Sequence, residues 1–382
     1  MKILHLIIDH QVIERMLGKY ERLFPGCNDV IVFSNDNVIK HLNRYAKCPK
    51  ITRKDVKSQG NSFDYLKYQF IVAHYLTLEM VSFISFAPSN IHVSWEIYGH
   101  DLYNQFLEPM GYQVQAVNKN KYLSLKAQIL NRLGLLKIAA FVLYGDRTQF
   151  DFIKKRYFKL IANRLDSVQV GCDCDADLLE KYSGLKKPRF KTFNYSLEDV
   201  LGALYRASFN DDSNIIMIGN SASLSNNHLY VLDYIKNYQL NGDRIIMPLS
   251  YGGLPKYKKE VMDKYELFFK GKVSPILDYL PLHEYNKLFT DVKTMVMASW
   301  RQESLGTIIM GLYLGIKIYM SNRSPLYSSL KKEGFLIFSI EDTCEEQFLN
   351  ALKNEEKLFN RNILLNNYNE RVFDKELLKQ FS

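Results

Sequence analysis

The chain has no long apolar run, no internal repeat, no low-complexity tract and no cysteine pair at metal-binding spacing, and each absence removes a class of protein. Its longest apolar stretch, residues 133–144, is a dozen residues long and is interrupted by Lys137, against the roughly 20 needed to span a bilayer. The opening MKILHLIIDHQ carries one lysine but neither a full apolar core nor a small-residue cleavage site, so it reads as a first buried strand rather than an export signal. Cys27, Cys48, Cys172, Cys174 and Cys344 form an odd set without CxxC. That set argues against a disulfide framework or a zinc site and for the cytoplasm.

What is present is a globular composition, 47% hydrophobic and 24% charged, over 382 residues. A length of that order predicts two domains of roughly 150 to 200 residues. The net charge is +9, and its distribution says more than its size: residues 118–164 hold 11 Lys/Arg against Asp146 and Asp151 alone. Nucleic acid, anionic lipid head groups and a pyrophosphate-bearing substrate all attract such a block through the same Coulomb term. Its basic residues alternate with Leu123, Leu125, Ile129, Leu130, Leu133, Leu135 and Leu136. The mixture suits a helix lying on an anionic membrane, with Lys119, Lys121, Lys126 and Arg132 as contacts, and equally a solvated face over a core helix.

Short β-rich runs alternate with longer amphipathic ones, which predicts an α/β fold with parallel sheets. In the first half, strands are expected at 2–8, 29–33, 81–86, 91–97 and 139–144, with a helix running through Leu23. A polar change of pattern at 193–212 marks the interdomain boundary. A second series follows, with strands at 215–218 and 244–248 and helices at 227–238 and 256–265. The expected domains are 1–205 and 206–355, with a helical tail, 356–382, placed by analogy back on the first lobe. Ligands in such sheets sit at the carboxyl ends of the strands.

Four segments carry chemistry. GNSASLSNNH, 219–228, follows a strand and precedes a helix, so its N–H groups can approach a diphosphate at the helix start, or it is an ordinary turn with Ser225 or Asn226 as N-cap. MPLSYGG, 247–253, places Tyr251 at the same edge, where it can line a base or sugar pocket. In WRQESLGTIIMGLYLGIKIYMSN, 300–322, loop N–H groups with Arg301 or Thr307 can hold a diphosphate, and Glu303 can accept sugar hydroxyls. The second acidic residue common in such motifs falls at Gly311. WEIYGHDLYNQF, 95–106, groups Glu96, His100 and Asp101 as candidate general bases, Asp101 being the first choice and a plain helix cap the alternative. His5 and Asp9 close the first strand and carry less weight.

In order and spacing, WEIYGHDLY, IGNSASLSNNH, MPLSY and RQESLGT resemble the TDP-N-acetylfucosamine:lipid II N-acetylfucosaminyltransferase family, the 4-acetamido-4,6-dideoxygalactose (Fuc4NAc) transferases of glycosyltransferase family 56. The resemblance spans 95–322 and departs at His100, Glu303 and Ser304. It implies a GT-B fold, two Rossmann-like domains facing a cleft, with a dTDP-sugar donor in the second lobe and a lipid-diphosphate-linked saccharide acceptor on the first. No cofactor or metal is implied; Gly219, Asn220, Ser221, Asn226, Tyr251, Arg301, Gln302, Glu303, Gly306 and Thr307 would hold the donor. The expected protein is a peripheral enzyme on the inner face of a bacterial membrane, serving surface polysaccharide assembly without nucleic acid. Two other readings stand beside it: a GT-B enzyme with another donor or a soluble acceptor, and a non-catalytic sugar or nucleic-acid binding protein.

Overall fold

The computed structural model describes residues 1–35, 39–45, 47–135, 137–138, 150–193, 196–210, 212–240 and 242–382. The chain divides into two compact units. The first comprises Met1–Tyr112, Ala139–Tyr195 and Glu370–Ser382, the second Gln113–Ile138 and Ser196–Asn369.

Among the described residues the first unit carries seven strands: β1 (Ile3–Ile8), β2 (Asn28–Phe33), β3 (Lys50–Ile51), β4 (Phe70–His74), β5 (His92–Ile97), β6 (Ser167–Val170) and β7 (Arg189–Lys191). They form one parallel sheet in the order β3-β2-β1-β4-β5-β6-β7. β1 is a run of buried Ile and Leu because both faces of a parallel sheet are covered. The order reverses direction beside β1, so the crevice outside β1 and β4 is where such a sheet takes a ligand. The final helix, Glu370–Phe381, packs in this unit: Phe373, Leu377 and Phe381 recur every four residues on its buried face. Phe381 meets the rings of Tyr20, Phe24 and Phe70, and Arg22 bridges to Glu370 and Asp374 at 2.8 Å each.

The second unit has β8 (Ile215–Ile218), β9 (Arg244–Pro248), β10 (Val273–Ile276), β11 (Val292–Met297), β12 (Lys317–Met320) and β13 (Phe338–Ser339), parallel in the order β10-β9-β8-β11-β12-β13. Its reversal lies between β8 and β11. Both units are Rossmann-like α/β layers, as the alternation of patterns predicts.

Three expectations need correction. The apolar run 81–86 is not a strand; it lies largely in a helix, Leu78–Ile84, whose start is capped by Thr77 accepting from the Met80 N–H at 3.3 Å. Its apolar residues Met80, Val81, Phe83 and Ile84 are all buried, a spacing that fits one helical face as well as a buried strand. The division between units falls at 195/196 rather than 205/206, and 113–138 leaves the first lobe for the second. There Tyr122 packs 5.0 Å from Tyr257, and the Ala116 N–H donates to Asn227 at 2.8 Å. Finally, Cys172 and Cys174 form a disulfide, their Cα atoms 5.2 Å apart where β6 enters the next helix. The strand expected at 139–144 lies outside the described residues.

Candidate active site

The loop leaving β8 turns at Gly219, whose φ of +68° favours glycine. Space demands glycine as well: a Cβ there would stand 2.7 Å from His228 Nε2 and 2.8 Å from Asn226 Oδ1. Asn226, buried, accepts from the Asn220 N–H at 2.9 Å and donates to Ser221 Oγ at 3.0 Å, so one amide folds the loop on itself. Asn220 Nδ2 reaches the Tyr251 hydroxyl at 3.3 Å, while its Oδ1 is buried with no partner among the described residues. The β9 loop locks against this one, with the Ala222 N–H donating to the Tyr251 carbonyl at 2.9 Å; a Cβ at Gly253 would fall 2.0 Å from the Ala222 carbonyl oxygen. The structure thus brings together Gly219, Asn220, Ser221, Asn226 and Tyr251 at one sheet edge.

It also corrects the expected diphosphate cradle at the start of the following helix, His228–Ile235. The Gly219 N–H goes to the Val296 carbonyl at 2.9 Å. The first helical N–H, that of His228, is taken by the buried Tyr257 hydroxyl at 3.2 Å. The same hydroxyl lies 3.2 Å from His228 Nδ1. His228 itself is fully buried. Burial holds its pKa down to about 4. The folded unit therefore binds fewer protons than the unfolded chain between pH 4 and 6.5, and stability falls as pH drops through that window. A pH series of thermal melts from 7 to 4 is expected to be flatter in a His228→Gln variant, the full effect at the acid end being about 3 kcal/mol.

The loop after β11 is arranged differently. Ser304 caps the helix Leu305–Tyr313 from the left-handed region, at φ +60°, with its hydroxyl buried and without a partner among the described residues. The first-turn N–H groups of Leu305, Gly306 and Thr307 meet no acceptor among the described residues. Such a helix start carries a partial positive charge and suits an anion. Arg301 and Glu303 lie before it as a mostly buried pair, 3.1 Å apart, with Glu303 also accepting from Ser299 Oγ at 3.0 Å. Gln302 stands half-buried between them, and Thr307, in the first turn of the helix, is half-buried as well. Gly311 fills the place of the second acidic residue for a steric reason: a Cβ would come 2.7 Å from Met295 Cε and 3.2 Å from Ile318 Cδ1.

In the first unit the three candidate bases separate. Glu96 is buried and bonded to His74 Nδ1. Asn28 donates to Glu21 and to the Phe24 carbonyl, so its Oδ1 accepts from His5 Nε2; His5 Nδ1 then accepts from His74 Nε2 at 2.9 Å. Donor by donor, that leaves one proton shared between His74 and Glu96, sealed from solvent. His5, which desolvation pushes down to about 3, is the interior end of this chain, and Asp9 caps the loop N–H groups of Lys40, His41 and Leu42.

Asp101 is also fully buried, against the expectation of a solvent-facing base. Its carboxylate accepts from Trp95 Nε1 at 2.8 Å, the Leu76 N–H at 3.1 Å and the Tyr98 N–H at 3.0 Å. Burial pushes its carboxyl up to about 7 against the pull of those donors. It ties the β4 exit to the β5 exit. Those two loops carry Tyr75 and His100, whose hydroxyl oxygen and Nδ1 are 2.6 Å apart. His100 is exposed, and Tyr75 sits at φ +57°, a strained value for a bulky residue and one that clusters at functional sites. Sequence reading missed two separate pairs, Tyr75 with His100 in the first unit and Tyr257 with His228 in the second, since no local spacing links the members of either.

A family model described as 4-alpha-L-fucosyltransferase glycosyl transferase group 56 matches residues 135–370, well over half of the chain. The chain belongs to glycosyltransferase family 56. Solved structures similar to this family 56 enzyme along its whole length include Anabaena HepE in complex with UDP, at 12% identity and TM-score 0.59, covering 100% of this chain and 99% of that one. The lipopolysaccharide outer core galactosyltransferase WaaB, in its apo form, matches at 9% identity and TM-score 0.63 with the same coverage. Sucrose-phosphate synthase from Thermosynechococcus elongatus matches at 12% and 0.58, over 100% of this chain and 98% of that one. At such identities the likeness shows the fold, and the fold is GT-B. The family 56 chain is a glycosyltransferase, and the family match bears out its resemblance to the family over 135–322, which includes the segments at 219–228, 247–253 and 300–322.

Proposed function

We propose that this glycosyltransferase moves a 4-acetamido-4,6-dideoxygalactose type sugar from a dTDP-sugar to a lipid-diphosphate-linked saccharide in surface polysaccharide assembly, working at the inner face of a bacterial membrane. The observation that carries the donor half is the start of helix Leu305–Tyr313, where unpaired N–H groups, the buried Ser304 hydroxyl and Arg301 gather at the reversal point of the second sheet. N–H groups and a guanidinium there neutralise a leaving diphosphate without a metal. Asn220 Oδ1, buried and unpaired across the same edge, is a waiting acceptor for a base or sugar donor group. Anabaena HepE is bound to UDP in its crystal structure, so the choice between uracil and thymine nucleotides is the first thing to test.

Calorimetric titration of dTDP, UDP, GDP and ADP into the metal-free protein makes that test. Selective dTDP binding supports the full reading. Selective UDP or GDP binding moves the donor, and no binding of any nucleotide overturns the donor site. Arg301→Ala is expected to lower the turnover of the folded enzyme about 100-fold to 1,000-fold and also to lower the thermal midpoint, because it leaves Glu303 mostly buried without its cation; near-normal turnover would remove Arg301 from diphosphate binding.

Of the three candidate bases, His100 is the exposed one, and in an inverting reaction it takes the proton of the attacking hydroxyl. Membrane docking is favoured by the helix Leu125–Arg132. Leu125, Ile129 and Leu133, spaced by four, are 72%, 52% and 63% exposed, beside exposed Lys119, Lys126 and Arg132. Lys121 does not join them, since it is paired with Glu260 at 2.8 Å. An apolar stripe on the outside of a helix flanked by cations fits a lipid interface. Changing Leu125, Ile129, Lys126 and Arg132 together to Gln is expected to release the protein from anionic vesicles in a flotation assay, at least tenfold; unchanged flotation would end the membrane role of this helix. Among the described residues no helix is long and apolar enough to cross a membrane.

A further inference from the structure

The bridge between Cys172 and Cys174 is out of keeping with a structural staple. It encloses one residue, Asp173, and a disulfide stabilises through the entropy of the loop it closes, which grows with loop length. This one therefore contributes about as little as a bridge can. Its position is more telling. Cys172 is the N-cap of the helix Asp173–Ser183, and its Sγ accepts the Cys174 N–H at 3.2 Å. A helix start carries a partial positive charge, and a sulfur held there by an N–H is favoured as a thiolate. Both cysteines are buried, with Gly171 and Asp173 on either side of Cys172 partly exposed.

The next residue supplies a proton. Asp175 is buried, with Oδ1 accepting from the Tyr103 hydroxyl at 2.9 Å and lying 3.9 Å from Cys174 Sγ. A bridged sulfur has no proton to give, so this sulfur–oxygen approach becomes a hydrogen bond only when the bridge is open. Burial pushes the Asp175 carboxyl up to about 8 against the pull of the Tyr103 hydroxyl, with the Asp101 charge adding to the push. It holds its proton at pH 7. One sulfur disposed to ionise and a second beside an acid is the arrangement that thiol–disulfide exchange uses.

We infer that Cys172 and Cys174 are a redox-active pair, opened by a low-molecular-weight thiol and closed by a low-molecular-weight disulfide, with Asp175 giving and taking the Cys174 proton. In opening, a thiolate RS⁻ attacks Cys172 Sγ, the bond between the two cysteines breaks, and the electron pair leaves on Cys174 Sγ, which takes the Asp175 proton. A second thiolate attacks the R sulfur of the mixed disulfide, forming RSSR and leaving Cys172 as a thiolate under the Cys174 N–H. Two electrons pass from the two thiols to the bridge, and Asp175 recovers its proton from solvent. Closure runs the same steps backwards. In thiol-rich compartments disulfides serve in this transient way, and the chemistry of the pair is independent of donor and acceptor.

Alkylation of the full chain in denaturant, read by peptide mass, tests the pair. Equilibrated with oxidised glutathione, the protein is expected to label at Cys27, Cys48 and Cys344 but not at Cys172 or Cys174, and dithiothreitol added while the chain is still folded is expected to open both. Labelling of Cys172 or Cys174 in the presence of oxidised glutathione, or a bridge that dithiothreitol leaves intact in the folded chain, overturns the redox pair. The opening rate, divided by the dithiothreitol thiolate concentration, is expected to fall about tenfold from pH 7 to pH 9 as Asp175 loses its proton. In Asp175→Asn it is expected to be at least tenfold slower at pH 7 and flat across that range. Asp101, Tyr103 and Tyr112 are the other titratable groups facing Asp175, so a profile that survives Asp175→Asn belongs to one of them and removes Asp175 from the proton transfer. A flat profile in the unaltered protein, which needs no variant to fold, removes it as well.

Discussion

Asp101→Asn is expected to lower stability by about 2 kcal/mol before any question of catalysis arises. The carboxylate has one oxygen facing Trp95 Nε1 and the Leu76 N–H and the other facing the Tyr98 N–H. An amide can offer its oxygen to only one side, so an N–H is left facing an NH2 group in a site without solvent. Asp101→Ala removes all three bonds and leaves a void beside Trp95, with an expected cost of about 4 kcal/mol. Both variants loosen the tie between the loops of Tyr75 and His100, so turnover drops together with the thermal midpoint. A base would behave otherwise. If Asp101→Asn melts like the wild type but loses turnover by three orders of magnitude or more, Asp101 performs the proton transfer and its role as a tie is wrong.

The second large effect is at Gly311. Installing the acidic residue that related motifs carry there is expected to unfold the second unit rather than improve donor binding. The helix Leu305–Tyr313 lies so close to β11 and β12 that even a Cβ would press on Met295 Cε at 2.7 Å. A glutamate would add an unpaired carboxylate in the layer between helix and sheet, at a cost of more than about 4 kcal/mol. Gly311→Ala separates sterics from charge. Met295 ends in a flexible methyl that can swing away, and alanine regains about 1 kcal/mol of helix propensity, so this variant is expected to lie within about 1 kcal/mol of wild type. A soluble, cooperatively folded Gly311→Glu protein in denaturant titration would show that the close packing is not a requirement.

Both cases show where local sequence stops informing. The motif at 300–322 was legible because it is one continuous loop, helix and strand, and the helix start that gathers Ser304, Gly306 and Thr307 follows from the order of residues alone. The cradle at 219–228 was legible as a loop but not in its bonding. Tyr257 caps the helix start from a distance of 29 residues, and a hydroxyl that takes the first helical N–H leaves no sign in the loop's own sequence.

In WEIYGHDLY the sequence determined that Glu96, His100 and Asp101 share one strand exit, since that depends on chain order. Which of them meets solvent was decided by pleat and neighbours. Glu96 points into the layer against His74, Asp101 is drawn under Trp95, and His100, beside it in the chain, turns out to solvent and to Tyr75.

The alternation of apolar strands with amphipathic helices determined two parallel α/β layers, because a buried parallel strand can be apolar on both faces and its connecting helix on only one. Tertiary structure alone decided that residues 113–138 join the second layer and 370–382 the first. Those assignments depend on which distant surface buries Tyr122, Phe373 and Phe381. Burial of a side chain by a partner more than a hundred residues away is a property of the packed molecule, with no counterpart in local spacing.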